Sequence, residues 1–359
     1  MKIKQDLIIY LFGLLVFLAS CDTTPKSGFT YAEPETKGYS SQKLELLKEH
    51  LEKSGSSSMM IMVDGAIIFE WGETSKKHTI HSIRKALLNS LVGIAIEQGK
   101  IDTSLTLKQL GINDIEPKLS ENEQQAKIID LLKSRSGIYH DAAAVSEAML
   151  RSKPKRNSFA PGEHYYYNNW DFNTLGAILE MQTGKSIYDL FNEEIAIPLG
   201  MKDYKGKYFT YTDGESSEDL NFTDEDGFYQ YEKTKSKYPA YHFRMSAHDL
   251  MLYGQLYLNY GSWDGNQIVP KEWIDVSTKP YSNLQNFVKR GILWSVIVSK
   301  DDTKRNSFFH TGAGMHCLGV YPNLDMIYVH RVDTENKSNY NESDFYKMLD
   351  LLFDSKIKK

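Results

Sequence analysis

Ser82 and Lys85 stand three residues apart where an extended segment gives way to a long apolar run, Ala86 to Glu97. On a helix, that spacing puts a hydroxyl and an amine on one face, one turn apart. A helix starting at Ser82 would also set the hydroxyl at the positive end of its dipole, which favours a developing alkoxide and disfavours an ammonium. A lysine buried there can lose its proton near neutral pH and act as a base. The pair therefore makes an activated serine without a histidine. Ser-x-x-Lys also begins at Ser40, Ser152 and Ser355, but those lie in polar or charged stretches, and only Ser82 opens an apolar segment long enough for a buried helix.

Two further clusters carry chemistry. Tyr167-Asn168-Asn169 lies between a turn and a predicted helix. A phenol beside the Ser82–Lys85 pair would relay a proton between nucleophile and leaving group. Asn169 would bind a substrate amide or carbonyl while hydrogen-bonding Lys85. With 23 tyrosines in the chain, a Tyr-x-Asn alone would also fit a packing segment. Phe309-His310-Thr311-Gly312-Ala313-Gly314 leaves a predicted edge strand. Its glycines admit a substrate close to the backbone, and an exposed N–H there, beside that of Ser82, would form an oxyanion hole. Other chemistries find no support. There is no Gly-x-Ser-x-Gly elbow and no His-Glu-x-x-His. His78-x-x-His81 and His316-Cys317 lack further ligands at metal spacing, so no metal is expected, and no motif calls for a cofactor. Gly184-Lys185-Ser186 mimics the end of a P-loop, but Leu179 stands where its first glycine belongs.

The elements that must position these residues read as α+β. Met59–Val63 and Ala66–Trp71 are predicted strands joined by an Asp64-Gly65 hairpin turn. Strands return at 292–298, 307–309, 317–321 and 326–330, and an amphipathic helix closes the chain at 344–353. Between lie mostly helical signals, including 128–132, 174–183, 187–191 and 247–257. The expectation is one domain over 37–359. An antiparallel sheet is built from both ends, about 37–86 and 288–359, with flanking helices and a helical insert at about 87–287. Residues 205–238 are polar and aperiodic and read as a surface loop or a lid.

The N-terminus reads as an export signal over 1–20. Lys2 and Lys4 precede an apolar run, Leu7 to Leu18, too short to span a membrane convincingly. The run ends at Leu18-Ala19-Ser20-Cys21, which resembles a bacterial lipoprotein signal with Cys21 as the lipidated residue, followed by a tether over 21–36. Such a protein would be lipid-anchored to an envelope membrane. Net charge is −5 with no basic aromatic stripe, so nucleic acid is not an expected partner. With Cys21 lipidated, Cys317 has no disulfide partner and reads as a buried apolar residue.

Ser82-x-x-Lys85, Tyr167-x-Asn169 and His310-Thr311-Gly312, in that order and spacing, resemble the serine β-lactamase and penicillin-binding-protein superfamily, in particular its class C β-lactamase-like hydrolases. That group includes esterases, D-aminopeptidases, DD-carboxypeptidases and nylon-oligomer amidases. Gly99-Lys-Ile-Asp102, Leu131 to Gly137, Pro198-Leu-Gly-Met201 and Met245 to Leu250 are similar too, and the likeness covers about 38–355. The resemblance implies Ser82 as the acylated nucleophile, Lys85 as its base and Tyr167 as proton relay. Asn169 and His310-Thr311-Gly312 would bind substrate, with the N–H groups of Ser82 and Ala313 as oxyanion hole. His310 stands where β-lactamases usually have lysine, and Asn168 where they usually have a small residue. The expected substrate is therefore a small ester or amide, possibly containing a D-amino acid, and uncharged acyl groups should be favoured over anionic ones, unless Arg290 or Arg305 supplies the missing charge. A true β-lactamase or penicillin-binding protein, and an inactive sensor, are the alternatives.

Overall fold

The computed structural model describes residues 28–212, 222, 224–284, 287–336 and 338–358. The export signal, Cys21 and the first part of the tether lie outside them. Among the described residues no helix is long and apolar enough to cross a membrane.

The nine-stranded main sheet takes its strands from both ends of the chain. They are β1 (Thr30–Tyr31), β2 (Ser58–Val63), β3 (Ala66–Gly72), β10 (Ser282–Asn283), β11 (Val288–Arg290), β12 (Ser295–Ile297), β13 (Ser307–Gly312), β14 (His316–Tyr321) and β15 (Met326–Arg331), in the order β1-β3-β2-β15-β14-β13-β12-β11-β10. Asp64 and Gly65 both adopt positive φ, +45° and +70°, and make the expected hairpin turn between β2 and β3. β2 is buried on both faces. Met59, Ile61 and Val63 pack with Leu44, Leu47 and Leu51 of α1 (Ser41–Ser54) and with Phe345, Met348 and Leu352 of α10 (Glu342–Asp354). Met60 and Met62 join the larger core on the opposite face, with α2 (Arg84–Glu97) and α8 (Ala247–Leu258). The period-2 alternation of a strand thus divides one apolar run between two cores. Helix α2 is buried all round from Arg84 to Ala95 and is mostly apolar beyond its first turn, as expected of a helix at the centre of a domain.

The remaining helices are α3 (Ile128–Leu132), α4 (Glu147–Ser152), α5 (Asn169–Thr183), α6 (Ile187–Phe191), α7 (Ile197–Leu199) and α9 (Lys271–Ser277). A second sheet takes three of its four strands from the region expected to be helical. Its strands are β4 (His78–Thr79), β5 (Tyr208–Thr212), β6 (Gly227–Tyr231) and β7 (Ala240–Met245), in the order β4-β7-β6-β5. A small hairpin, β8 (Ser262–Trp263) with β9 (Asn266–Gln267), completes the strands.

Four expectations need correction. The 205–238 stretch is strand-bearing rather than a plain loop, because its aromatics pair across β5 and β6: Phe209 stacks on Phe228 with ring centroids 5.4 Å apart. The tether does not extend to 36: Thr30 and Tyr31 pair in parallel with Ala66 and Ile67, and Pro34–Lys37 forms a 3-10 turn. The sheets are mostly antiparallel, as expected, and depart from that at β1–β3 and β5–β6, which are parallel pairs. The main sheet resumes at Ser282 rather than near 288. Cys317 is fully buried, as expected. Its sulfur lies 3.1 Å from the Tyr328 hydroxyl, and burial pushes its thiol up to about 12.

Candidate active site

The segment carrying Ser82 is held between the two sheets. On one side the Ile80 N–H donates to the Phe243 carbonyl of β7 at 2.9 Å. On the other the end of β13 presses against it. A Cβ at Gly312 would lie 2.5 Å from the Ile80 carbonyl oxygen, so only glycine allows this approach. Arg331 ties the sheets together from below, donating to the carbonyls of Met245 (3.0 Å) and His78 (2.8 Å). His81 is forced to φ +47° immediately before the serine. Ser82 itself lies in a 3-10 turn, His81–Ile83, that runs directly into α2. The α-helix therefore begins two residues later than expected, while the serine keeps its place at the helix N-terminal end. Ile83 is the first residue of the turn whose N–H closes back, onto the Ile80 carbonyl at 3.1 Å. The N–H before it, that of Ser82, belongs to the donors a helix start leaves unpaired.

Lys85 Nζ lies 3.1 Å from Ser82 Oγ. The amine is buried at 1% exposure, between the rings of Tyr167 and Phe172, whose centroids are 4.9 and 4.8 Å away. Burial, aided by the guanidinium groups of Arg84 and Arg290, holds the amine well below the usual lysine range. Tyr167 is pushed the other way. Burial raises its phenol, and the charge of Arg290 and a hydrogen bond with Ser82 offset only part of that shift. At neutral pH the site thus holds a neutral phenol beside an amine that is readily deprotonated.

Ser82, Lys85, Tyr167, Asn169, His310, Thr311, Gly312 and Ala313 all line one cleft of about 900 Å³. The Ala313 N–H, at the turn between β13 and β14, donates to no group among the described residues. Asn169 departs from expectation. No Asn169–Lys85 hydrogen bond forms. Its amide N–H instead donates to the Ala144 carbonyl, which leaves its buried Oδ1 without a partner among the described residues. Asn168 is the N-cap of α5, accepting from the Trp170 N–H at 3.2 Å. Its side chain is therefore used in holding the helix start.

The charge balance also differs from expectation. His310 is buried, with Nδ1 2.9 Å from the Thr311 carbonyl, and burial together with Arg290 and Lys85 holds it well below the ordinary histidine value. It is neutral across the physiological range. The cleft nevertheless carries a permanent positive charge, because Arg290 of β11 lines it, lying over the Tyr167 ring with Cζ 5.2 Å from the centroid. Arg290 is positioned by the hydroxyls of Tyr165 (3.1 Å) and Ser295 (2.9 Å). Arg305 plays no such part: its guanidinium is committed to the carbonyls of Leu258 and Tyr257.

The opposite wall comes from the second sheet and was not read from the sequence. Tyr211, Phe222, Phe228, Gln230 and His242 line it, with Met149 of α4 and Ala144 nearby. Phe228 stacks on His242 at 4.5 Å. The aromatic cluster in Gly227–Tyr231 was the available signal, masked by the polar residues on either side. Among the described residues, His78, Asp333 and Glu335 come within possible metal-binding distance of one another. Glu335 is already held by Arg244 (2.7 and 2.8 Å), and Asp333 lies 3.3 Å from Lys76. A second cleft of about 770 Å³ is bordered by Phe29, His248 and Trp263.

Fold and constellation together fit the β-lactamase family. The family model described as Beta-lactamase matches residues 45–352, and the chain belongs to that family. Among solved structures, the fold is similar to that of a penicillin-binding protein from Bacillus halodurans (TM-score 0.62, 16% identity, 86% of this chain and 100% of the other). It is similar also to an octameric penicillin-binding protein homologue from Pyrococcus abyssi (0.61, 18%, 87% and 77%) and to a class C β-lactamase (0.59, 15%, 86% and 94%). A D-aminopeptidase of Brucella anthropi is 42% identical over 57 residues, which is 16% of this chain and only 11% of that protein.

Proposed function

We propose that the protein hydrolyses a small ester or amide, including peptides containing D-amino acids, through an acyl-enzyme on Ser82. The observation that carries this reading is the buried Lys85 amine, depressed in pKa and 3.1 Å from Ser82 Oγ. Neutral Lys85 takes the Ser82 proton as Oγ attacks the carbonyl carbon. The oxyanion settles between the N–H groups of Ser82 and Ala313. Tyr167, kept protonated by burial, passes a proton from Lys85 to the leaving group as the scissile bond breaks. The same relay reversed removes a proton from the water that releases the acyl group. Arg290 supplies the charge that a lysine at position 310 would have given, so anionic substrates are not disfavoured. This favours including β-lactams and carboxylate-bearing peptides in the substrate panel. No cofactor enters this scheme.

We further propose that Cys21 anchors the protein to an envelope membrane, on the strength of the Leu18-Ala19-Ser20-Cys21 ending. A single acyl chain binds only marginally, so stable attachment requires more than one.

Labelling with a fluorophosphonate probe tests the serine chemistry, followed by a screen of p-nitrophenyl esters, D-amino-acid amides and nitrocefin. Probe labelling of wild type and none of Ser82→Ala is expected. Labelling that persists in Ser82→Ala would remove Ser82 as the nucleophile.

A further inference from the structure

Three residues that line the catalytic cleft each carry a buried polar atom with no hydrogen-bond partner among the described residues: Asn169 Oδ1, His242 Nδ1 and His310 Nε2. An orphaned buried polar atom costs stability unless a ligand or water completes it. What each atom demands is fixed by its neighbours.

Glu232 is the anchor for two of them. A carboxylate can only accept. The Gln230 amide therefore turns its NH₂ to Glu232 Oε1 (3.0 Å), which presents Gln230 Oε1 to His242 Nε2 (3.0 Å). His242 Nε2 must then carry the proton. The ring is neutral, since burial and the charge of Arg84 hold its pKa well below the ordinary value. Nδ1 is left as a bare lone pair. The same Glu232 Oε1 accepts the Ala144 N–H at 2.7 Å. That contact helps hold Ala144 at φ +58°, a conformation non-glycine residues rarely adopt, with its carbonyl toward Asn169. A carbonyl can only accept as well, so Asn169 gives it NH₂ and keeps Oδ1 as an acceptor. His310 Nδ1 donates to the Thr311 carbonyl, which leaves Nε2 as an acceptor too.

All three orphans are thus acceptors. We propose that His242, oriented by Gln230 and Glu232, is a substrate-binding residue that acts with Asn169 to read hydrogen-bond donors on the acyl part of the substrate. The donors are uncharged N–H groups. The acceptors themselves are neutral, and Arg84 and Arg290 repel an ammonium, whereas an amide N–H or an unprotonated amine meets no such penalty. Gln230 and Glu232 are positioning residues: Gln230 sets the tautomer of His242, and Glu232 orients both Gln230 and, through Ala144, Asn169.

The inference rests on the acyl-enzyme reading above, and its test separates the two. Three p-nitroanilides differing only in the acyl group are compared: propionyl, alanyl and N-acetylalanyl, the last two as both enantiomers. With wild type, kcat/KM for the N-acetylalanyl compound should exceed that for propionyl by roughly 10–100-fold, the usual worth of satisfying a buried acceptor. The alanyl compound should gain as pH rises through its amine pKa of about 8. His242→Phe keeps a ring to stack on Phe228 but removes the acceptor, and should collapse the N-acetylalanyl to propionyl ratio toward one. Glu232→Gln frees Gln230 to rotate and should lower the same ratio partway. A wild-type ratio near one, or a ratio unchanged in a folded His242→Phe protein, overturns the inference. Failure of wild type to take the fluorophosphonate label overturns the acyl-enzyme reading and this inference with it.

Discussion

The two walls of the cleft are built on different terms. The main-sheet wall, β13 with Arg290 behind it, presents backbone N–H groups and a fixed positive charge, with one neutral acceptor at His310. The second-sheet wall, β6–β7 with the N-terminal end of α5, presents stacked aromatics and two neutral acceptors. Ser82 sits where the walls meet, clamped by the Ile80–Phe243 hydrogen bond on one side and the Gly312 contact on the other. On the proposed acyl-enzyme reading, the first wall would stabilise charge and receive anionic groups, while the second would read uncharged donors on the acyl part. Changes on one wall should then leave signatures distinct from changes on the other.

Removing the nucleophile at the junction should have the largest effect: Ser82→Ala abolishes probe labelling on every substrate, while thermal melting stays within a few degrees of wild type. Lys85→Met comes next, lowering the acylation rate by roughly 10²–10⁴-fold in stopped-flow assays. The same variant should melt higher than wild type. Between its depressed folded pKa and the unfolded value of about 10.4, Lys85 is neutral when folded and protonated when unfolded. The unfolded chain then binds the extra proton, so this residue costs stability at pH 7 and the cost fades as pH rises toward 10.4. Methionine removes that penalty. A Lys85→Met protein that melts well below wild type would show the amine to be charged in the fold. The catalytic counterpart has the matching sign: wild-type acylation should fall as pH drops through the depressed Lys85 pKa.

A smaller effect is expected on the charge-bearing wall. Arg290→Gln should weaken kcat/KM for carboxylate-bearing substrates by about 10-fold relative to neutral ones, since charge-assisted hydrogen bonds are roughly twice as strong as neutral ones. Equal losses on both classes would place Arg290 with Tyr167 in positioning rather than in substrate choice. The smallest effect concerns His310. Because burial holds its ring neutral, His310→Gln should leave the shape of the pH–rate profile between about pH 6 and 8 unaltered. A limb that disappears in this variant would mean that His310 titrates there, and that the two walls differ less in charge than the geometry indicates.

Much of the main-sheet wall was legible beforehand because its elements announce themselves locally. Met59–Val63 is a short apolar run, Asp64-Gly65 a turn dipeptide, and 317–321 and 326–330 apolar runs about a turn, so these strands fell within a residue of where they were expected, whereas β12 is shorter than 292–298, and β13 runs on to Gly312 and lies inside the sheet rather than at its edge. The second-sheet wall was not legible. Its strands β5 and β6 are parallel partners separated by a polar stretch, and β4 is two residues long. Neither a parallel pairing between distant segments nor a two-residue strand leaves a periodic trace. His242 and Gln230 therefore gave no sign of lining a site, and the polar texture of 205–238 suggested a loop.

What the sequence determined by itself is the chemistry: which residues could be nucleophile, base and relay, and the α+β frame that carries them. These follow from residue type and near-neighbour spacing. Only the tertiary structure decided the electrostatics and the orientation of polar groups. Nothing within a few residues of His310 tells that it is buried beside Arg290, and nothing near Asn169 tells that Ala144 claims its N–H. Charge and hydrogen-bond polarity are set by whatever the fold brings within a few ångströms, and here those partners lie between twenty and more than a hundred residues away along the chain.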